Sequence, residues 1–261
     1  MTVSWKRWLL HISLFLVTFV TATMSGGPLY AIAIMSILLA HELGHYRTCK
    51  RYGVTATFPI FIPMPNILGT MGAVIAMKSP IPNRRALFDI GVAGPFMGLA
   101  LAIPAVVVGL FFSKVAPAPQ VGLFFGEPLL FKLLSHWILG PIPQGYDTLL
   151  HPIAFAGWAA LFVTSINLFP VGQLDGGHMM CALLGRRAKY VSWMTMGILA
   201  YLGIRYHAIW FVFMVILFLL WRHPAPIDDV TPLDRKRVLL GCLAYALLIV
   251  CFVPIPFDYR L

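Results

Sequence analysis

Almost the whole chain consists of long apolar segments separated by short polar ones. Seven segments reach or approach the roughly 20 apolar residues that a membrane-spanning helix needs: 8–24, 28–48, 86–112, 151–171, 190–204, 206–221 and 238–254. The fifth and sixth are short, and the break between them at 205–207 is either a tight turn or a kink. The pattern therefore predicts an all-α polytopic membrane protein with about six to seven transmembrane helices.

Two connections between these segments are unusual. Residues 53–82 are apolar, but prolines at three positions between 59 and 65 exclude an ordinary helix, and residues 69–77 read as extended. This connection is expected to form a re-entrant loop or a small β-hairpin at the cytoplasmic side. Residues 113–150 are broken by prolines and are mildly amphipathic around 127–139, which is typical of a segment lying along the outer membrane interface.

Composition strengthens the membrane interpretation. Only 11% of the residues are charged and 60% are hydrophobic, whereas about 25% of the residues of a soluble domain are charged. So few charges cannot cover a water-soluble globule of this size. The formal net charge of +10 comes from short clusters at the segment ends. It therefore indicates the lipid bilayer as a partner and not nucleic acid.

The basic clusters also predict an orientation. Alternating spans place all of them on one side of the membrane, which the positive-inside rule identifies as the cytoplasm. The N-terminus then lies inside, and with seven spans the C-terminus lies outside. The first segment is expected to be a retained helix, because no clear cleavage site follows it. The clusters are Lys6 and Arg7; Arg47, Lys50 and Arg51; Arg84 and Arg85; Arg186, Arg187 and Lys189; and Arg222, Arg235, Lys236 and Arg237.

The second apolar segment ends in "HELGH", which places His41, Glu42 and His45 in an otherwise hydrocarbon-like helix. Residues four apart leave one face of a helix, so both imidazoles point the same way and Glu42 lies beside them. This is the HExxH spacing of two zinc ligands and a general base. A buried polar cluster that joins helices is the alternative. Ionisable groups inside a bilayer are usually functional, and three in register favour a metal.

A catalytic zinc site needs a third protein ligand and an open position for water. The candidate lies in "NLFPVGQLDGGH" at 167–178, where Asp175 is the only carboxylate between Asp147 and Asp228. The apolar segment 151–171, which precedes Asp175, and the segment that carries His45 end on the same side of the membrane. The two side chains are therefore expected at a similar depth. Taken alone, Asp175 is also compatible with the N-cap of a helix that begins at Gly176.

Two further polar residues in this stretch have open roles. Asn167 either hydrogen-bonds a developing oxyanion or satisfies backbone groups freed by Pro170. His178 is either a neighbouring or alternative ligand or a buried, hydrogen-bonded histidine. The four cysteines form no CxxC pair and are expected to pack as small apolar residues.

"HELGH" at 41–45 followed by "N-x-x-P-x-x-x-LDGG" at 167–177 resembles the site-2 protease family of intramembrane zinc metalloproteases. The resemblance covers about 28–185 and implies one integral membrane metalloprotease domain over 1–261, with additional transmembrane helices at about 190–254. It implies that His41, His45 and Asp175 bind one Zn²⁺ per chain and that Glu42 is the catalytic glutamate. Asn167 matches the asparagine that begins the family's second motif, next to the active site.

The stretch "LGTMGAVIAM" at 68–77 resembles the membrane-associated hairpin that lies near the catalytic cleft in this family. The resemblance implies that Gly69, Thr70 and Gly72 bind substrate by pairing with an unwound strand; packing of an apolar loop is the simpler explanation. No PDZ domain or nucleotide-sensing domain is recognisable in the sequence, so the chain is interpreted as a minimal member of the family.

The expected activity is hydrolysis of peptide bonds within or near transmembrane segments of membrane protein substrates. A prokaryotic inner membrane is expected, with the active site toward the cytoplasmic side. A catalytically silent metal-binding scaffold is the main alternative, which the presence of Glu42 disfavours because zinc binding does not need it. A metal or proton transporter is a second alternative, but the internal repeats typical of transporters are not found.

Overall fold

The computed structural model describes residues 5–119, 121–221 and 226–260, without the side chains of Lys6, Arg7 and Arg260. Arg222, which belongs to one of the basic clusters, lies outside the described residues. The helices are α1 (Trp5–Arg51), α2 (Arg84–Phe111), α3 (Leu129–Leu139), α4 (Pro152–Asn167), α5 (Asp175–Leu184), α6 (Ala188–Arg205), α7 (Ile209–Leu219) and α8 (Arg235–Cys251). The strands are β1 (Ile60–Pro63), β2 (Thr70–Val74), β3 (Lys114–Pro117), β4 (Gly122–Phe125), β5 (Tyr146–Leu149) and β6 (Phe257–Arg260).

The first two apolar segments form the two halves of α1, which is interrupted at Gly27. This glycine has φ 83° and ψ 173°, a conformation that a residue with a Cβ rarely adopts. Pro28 follows it and has no N–H to continue the helical hydrogen bonds. The interruption separates a proximal half from the half that carries the HExxH sequence.

Most of the predicted helices are present, but several are shorter than a span. Within the described residues, Trp8–Arg51 and Arg84–Phe111 are long and apolar enough to cross a membrane. Leu129–Leu139, Pro152–Asn167 and Ile209–Leu219 are apolar but shorter. The break predicted at 205–207 separates α6 from α7, whose bounds are given above. The protein is therefore mostly helical, with long apolar helices among shorter ones.

The all-α prediction is incomplete, because three two-stranded antiparallel sheets accompany the helices in the described residues. The connection at 53–82 forms the predicted hairpin, in which β1 pairs with β2 and Ile60 lies opposite Val74. Its tip is attached to α1: the Tyr30 hydroxyl donates to the Leu68 carbonyl at 2.8 Å, and the Thr21 hydroxyl donates to the Gly69 carbonyl at 2.6 Å.

The connection at 113–150 contains α3 at the place where the amphipathic pattern was strongest. Around it, β3 pairs with β5 and β4 pairs with the C-terminal strand β6. Trp158 of α4 donates its indole N–H to the Gly126 carbonyl at 2.7 Å. These pairings cover the end of the helices that is remote from the HExxH sequence.

Several basic clusters lie together at the other end of the helices. Arg84 at the start of α2 donates to the Ala182 and Leu183 carbonyls at the end of α5. Arg237 at the start of α8 contacts Asp89 of α2 and Tyr52, which follows α1. The starts of α2 and α8, which carry Arg84 and Arg237, therefore lie close to the ends of α5 and α1 respectively. The four cysteines are free thiols; Cys49 and Cys251 are buried as the packing prediction requires, whereas Cys242 is exposed.

Candidate metal centre

Three predicted ligands from two distant parts of the chain meet in the interior. His41 and His45 project from adjacent turns of α1, and their Nε2 atoms are 3.1 Å apart. Asp175, the first residue of α5, places Oδ2 at 3.1 Å from His41 Nε2 and Oδ1 at 3.2 Å from His45 Nε2. Both histidines are buried. The three residues, called the triangle below, thus form a compact group in which a different oxygen of Asp175 faces each imidazole nitrogen.

The spacing of this triangle fits a tetrahedral metal ion. Two ligands that are 2.0–2.1 Å from a tetrahedral zinc ion lie about 3.3 Å apart. The two histidine nitrogens are 3.1 Å apart, and each lies 3.1 or 3.2 Å from one of the two oxygens of Asp175, which is close to that value. Two imidazole nitrogens and one carboxylate oxygen are also a donor set that zinc prefers, and three protein ligands leave a fourth position open. The residues present therefore fit a catalytic zinc site.

The second ring nitrogen of His45 has a partner of its own. His45 Nδ1 lies 2.7 Å from the backbone carbonyl oxygen of Ile90 in α2. A carbonyl oxygen can only accept, so Nδ1 carries the proton and Nε2 keeps its lone pair for a metal. Such a bond fixes the tautomer and the orientation of the ring. Ile90 thus orients a ligand through its backbone, which no sequence pattern reveals.

Glu42 lies beside the triangle, outside the set of three close donors. Its Oε1 is 4.0 Å from His41 Nε2, and the residue is buried. Ile75, just after β2, lines the same cavity as Glu42. One donor atom from each of His41, Glu42 and His45 lies within 4.8 Å of the others, as in a group that could hold a metal ion. Glu42 is therefore placed to exchange a proton with a molecule bound at the triangle.

The structure argues against the N-cap interpretation of Asp175. Helix α5 begins at Asp175 itself, its N-cap position is Leu174, and the helix has no side-chain cap bond. The carboxylate faces the two histidines instead. The N-cap alternative is therefore wrong, because the helix begins one residue too early for it.

Two glycines allow α5 to start at this position. A Cβ at Gly176 would lie 2.0 Å from the Leu168 carbonyl oxygen, and one at Gly177 would lie 2.2 Å from the Gly172 carbonyl oxygen. The loop 168–174 therefore folds tightly against the first turn of α5. These contacts require the "DGG" sequence and hold the carboxylate of Asp175 toward α1.

Glycines of α2 provide the space in which the histidines sit. A Cβ at Gly94 would lie 2.0 Å from His45 Nε2, and one at Gly98 would lie 3.2 Å from His41 Nδ1. On the facing helix, a Cβ at Gly44 would lie 2.5 Å from the Ala93 carbonyl oxygen. This role of the α2 glycines was not predicted from the sequence. The spacing of glycines at 91, 94 and 98 in an apolar helix was the available signal, since small residues permit close helix packing in membranes.

The three ligands and Glu42 line a cavity of about 670 Å³. Asn167, at the end of α4, lines the same cavity, as do His178 and Gln173. Gln173 was also missed, although it is a polar residue within the second motif. The wall opposite the second motif is formed by the extended residues 73–77.

The predicted substrate-binding residues Gly69, Thr70 and Gly72 lie nearer the tip of the hairpin. A Cβ at Gly69 would lie 2.5 Å from Ala22 Cα, so this glycine permits close contact with the proximal half of α1. The Thr70 hydroxyl is buried and donates to the Ile62 carbonyl at 3.0 Å. It also accepts the Gly72 N–H at 2.9 Å. In the structure these residues make contacts within the hairpin and with α1.

The comparison with protein families gives one match. The model of Peptidase family M50 matches residues 29–207, a range that contains the three ligands, Glu42 and Asn167.

Comparison with curated proteins gives relatives in plants. The probable zinc metalloprotease EGY1, chloroplastic, of Arabidopsis thaliana is 34% identical over 86% of this chain and 42% of its own length. EGY2 of the same species, also named a probable zinc metalloprotease, is 31% identical over 88% of this chain and 42% of its own. EGY3 of Oryza sativa subsp. indica is 32% identical over 87% and 41%. The chain thus spans less than half the length of these relatives.

Proposed function

We propose, from the premise that the chain belongs to peptidase family M50, that it is an intramembrane zinc metalloprotease. This is the family of the site-2 proteases, so the resemblance seen in the sequence is confirmed. The proposed reaction is hydrolysis of peptide bonds within or near transmembrane segments of other proteins. One observation carries the proposal: His41, His45 and Asp175 form a triangle of donors with metal-site spacing, and Glu42 lies beside it.

The proposed chemistry divides between the metal and Glu42. Zinc held by His41, His45 and Asp175 would act as a Lewis acid that activates water and polarises a peptide carbonyl. Glu42 would accept the proton of the attacking water on a carboxylate oxygen and deliver it to the leaving amine. Asn167 lines the cavity, where its side-chain amide is proposed to donate to the oxyanion.

The proposed substrate is a locally unwound transmembrane segment. A helix keeps its carbonyl groups in hydrogen bonds to the residue four positions on, so attack requires unwinding. The extended residues 73–77 line one wall of the cavity and offer backbone groups to such a strand. Gly69, Thr70 and Gly72 remain proposed substrate-binding residues, through their place in the same hairpin.

The proposed setting is a multi-pass location with the metal centre toward the basic side of the membrane. His45 precedes Arg51, at the end of α1, by six residues, or about 9 Å along a helix. A prokaryotic cell membrane with this side facing the cytoplasm remains a proposal, and the plant relatives are named chloroplastic. The count of six to seven crossings belongs to the same proposal.

The test measures zinc content and cleavage on the same purified protein in detergent, with a panel of single-span model substrates. Wild type is expected to bind about one zinc ion per chain and to cleave. Glu42→Gln is expected to keep the zinc ion and to lose at least about 10²-fold in cleavage rate, the usual contribution of a general base. Asp175→Ala is expected to lose zinc and activity together.

Each alternative gives a different result in this experiment. A scaffold would bind zinc, and neither wild type nor Glu42→Gln would cleave any substrate of the panel. A transporter would carry zinc across vesicle membranes, with flux that persists in Glu42→Gln. A wild-type protein that takes up no zinc after reloading would overturn the proposal altogether.

A further inference from the structure

One face of helix α8 packs closely against α2 and α5, the two helices beside the metal centre, and makes polar contacts with both. Arg237, Gly241, Ala244 and Tyr245 follow the i, i+4, i+7, i+8 spacing that places residues on one side of a helix. All of them lie beyond residues 29–207, the range that the family model matches. Their contacts lead to both sides of the metal site.

The first contact joins α8 to α2. Arg237 donates from Nε to Asp89 Oδ1 at 2.8 Å and from Nη2 to Asp89 Oδ2 at 2.6 Å, a bidentate pair. Tyr52, which follows α1, donates its hydroxyl to the same carboxylate at 2.5 Å. Asp89 directly precedes Ile90, whose carbonyl holds His45 Nδ1. The pair therefore fixes the turn of α2 that orients one histidine.

The second contact joins α8 to α5. The Tyr245 hydroxyl donates to the Gly176 carbonyl at 2.7 Å. Gly176 directly follows Asp175, whose carboxylate lies 3.1 Å from His41 Nε2. Tyr245 therefore holds the first turn of the helix that presents the third ligand.

Between these two contacts α8 packs closely on both elements. A Cβ at Gly241 would lie 3.0 Å from Leu183 Cδ1 of α5 and 3.3 Å from Phe88 Cε2 of α2. Ala244 is fully buried in a cluster with Phe88 and Met179. The two hydrogen-bonding residues thus stand at the ends of a tightly packed seam.

We propose that α8 sets the ligand geometry of the metal centre, with Arg237 and Tyr245 as positioning residues for His45 and Asp175 respectively. The inference rests on the proposed function only in requiring that the triangle bind a metal. Helix α1 fixes the backbone positions of the two histidines, but the ring of His45 is oriented by the Ile90 carbonyl of α2, and the third ligand comes from a separate helix. The position of α5 relative to α1 must therefore be held by other elements, and α8 contacts α2 and α5 at the required places. A bidentate arginine pair is suited to this because it fixes orientation as well as distance.

The test compares Tyr245→Phe and Arg237→Gln with the matched controls Tyr201→Phe and Arg235→Gln, whose side chains are exposed. Each full-length protein is loaded with cobalt, and the visible absorption spectrum and the affinity against a competing chelator are measured. We expect Tyr245→Phe and Arg237→Gln to weaken metal affinity about tenfold, the lower end of the range for residues that support ligands. We also expect an altered spectrum for both variants and no change in the controls.

Two further measurements separate positioning from general stability. Thermal unfolding of the metal-free proteins reports the loss of helix packing, and Arg237→Lys keeps the charge without the bidentate geometry. We expect Arg237→Lys to resemble Arg237→Gln in affinity and spectrum. Variants that unfold at lower temperature but bind cobalt with wild-type affinity and spectrum would overturn the inference and leave the proposed function intact. A wild type that binds no metal would overturn both.

Discussion

At the scale of single residues, the site depends on glycines of α2, whose lack of a side chain leaves room for the histidines. A Cβ at Gly94 would lie only 2.0 Å from His45 Nε2. His45 cannot turn away freely, because its Nδ1 is bound to the Ile90 carbonyl. Any side chain at position 94 must therefore displace either a ligand or a helix.

The close approach of His45 to Gly94 predicts the effect of Gly94→Ala. The added methyl group is expected to lower zinc occupancy to below half of the wild-type value and to lower the unfolding temperature, since overpacking a tight contact costs about 1–3 kcal/mol. Metal analysis and a thermal unfolding curve of the purified protein measure the two effects.

Gly197→Ala is the matched control for this substitution. Gly197 lies in α6, and apart from its chain neighbours and the nearby backbone of its own helix, no heavy atom of the described residues lies within 4 Å of the position that a Cβ would occupy there. Alanine should therefore leave zinc occupancy unchanged and slightly favour the helix. Equal zinc content in Gly94→Ala and Gly197→Ala would show that the histidines are not confined by α2.

The site residues that the sequence predicted best are those that lie close together along the chain. His41, Glu42 and His45 lie within five consecutive positions of one helix, so their spacing fixes their relation. Asp175 could be proposed because carboxylates are rare in this chain, but its competing role as an N-cap could be excluded only by the start of α5. The Ile90 carbonyl and the Gly94 contact depend on how α2 crosses α1, which no local pattern specifies.

At the scale of elements, the β1–β2 hairpin is attached to α1 by side-chain hydroxyls. The Thr21 hydroxyl donates to the Gly69 carbonyl at 2.6 Å, and the Ser25 hydroxyl donates to the Asn66 carbonyl at 2.9 Å. The base of the same hairpin continues into residues 73–77, which line the cavity. Attachment of the tip is therefore expected to limit the motion of the wall.

Thr21→Val tests this attachment. Loss of one such bond costs about 1 kcal/mol, which is about fivefold in the equilibrium for local opening. Amide hydrogen exchange in the hairpin is expected to accelerate by about that factor, with zinc content unchanged. Exchange measured by mass spectrometry on the protein in detergent resolves the peptides around 60–77.

Thr23→Val provides the comparison for Thr21→Val. The Thr23 hydroxyl donates to the Phe19 carbonyl of its own helix at 2.7 Å, so the same substitution there removes no contact with the hairpin. If both variants exchange at the wild-type rate in the hairpin, the hydroxyl of Thr21 does not hold the tip.

Hydropathy predicted the helices better than the strands. Each long apolar segment contains a helix, because the burial of twenty apolar residues dominates its energetics. The strands are only four or five residues long, and β4 pairs with β6 from the far end of the chain. Such pairing depends on the tertiary fold, so the sequence predicted only the local hairpin of β1 and β2.

At the scale of the whole molecule, we expect α4 and α5 to make one membrane crossing between them. Helix α4 has 16 residues, about 24 Å at 1.5 Å per residue, which is less than the roughly 30 Å of a bilayer core. Helix α5 adds 10 residues, or about 15 Å. The loop 168–174 between them then lies within the membrane, where irregular backbone is tolerated only against protein or a wet cavity. We expect the second motif to occupy this loop because the proposed metal site is that cavity.

This arrangement predicts opposite exposure for residues on the two sides of the α4–α5 pair. Lys114 precedes the pair and Arg187 follows it, and both are exposed. We expect Lys114→Cys and Arg187→Cys to react with a membrane-impermeant maleimide from opposite faces of oriented vesicles, in a background with Cys181 and Cys242 replaced by alanine. Lys50→Cys is expected to react from the same face as Arg187→Cys, since the ends of α1 and α5 lie at the basic end.

Labelling after detergent solubilisation controls for reactivity, because all three cysteines must then react. If Lys114→Cys and Arg187→Cys react from one face, α4 and α5 do not form a crossing and the loop 168–174 lies at the surface. In that case Asp175 would reach the histidines from outside the bilayer, and α1 would have to present His41 and His45 at the interface. Reaction from opposite faces, with Lys50→Cys on the side of Arg187→Cys, would support a crossing by α4 and α5 and the proposed cleavage within the membrane, beneath its basic face.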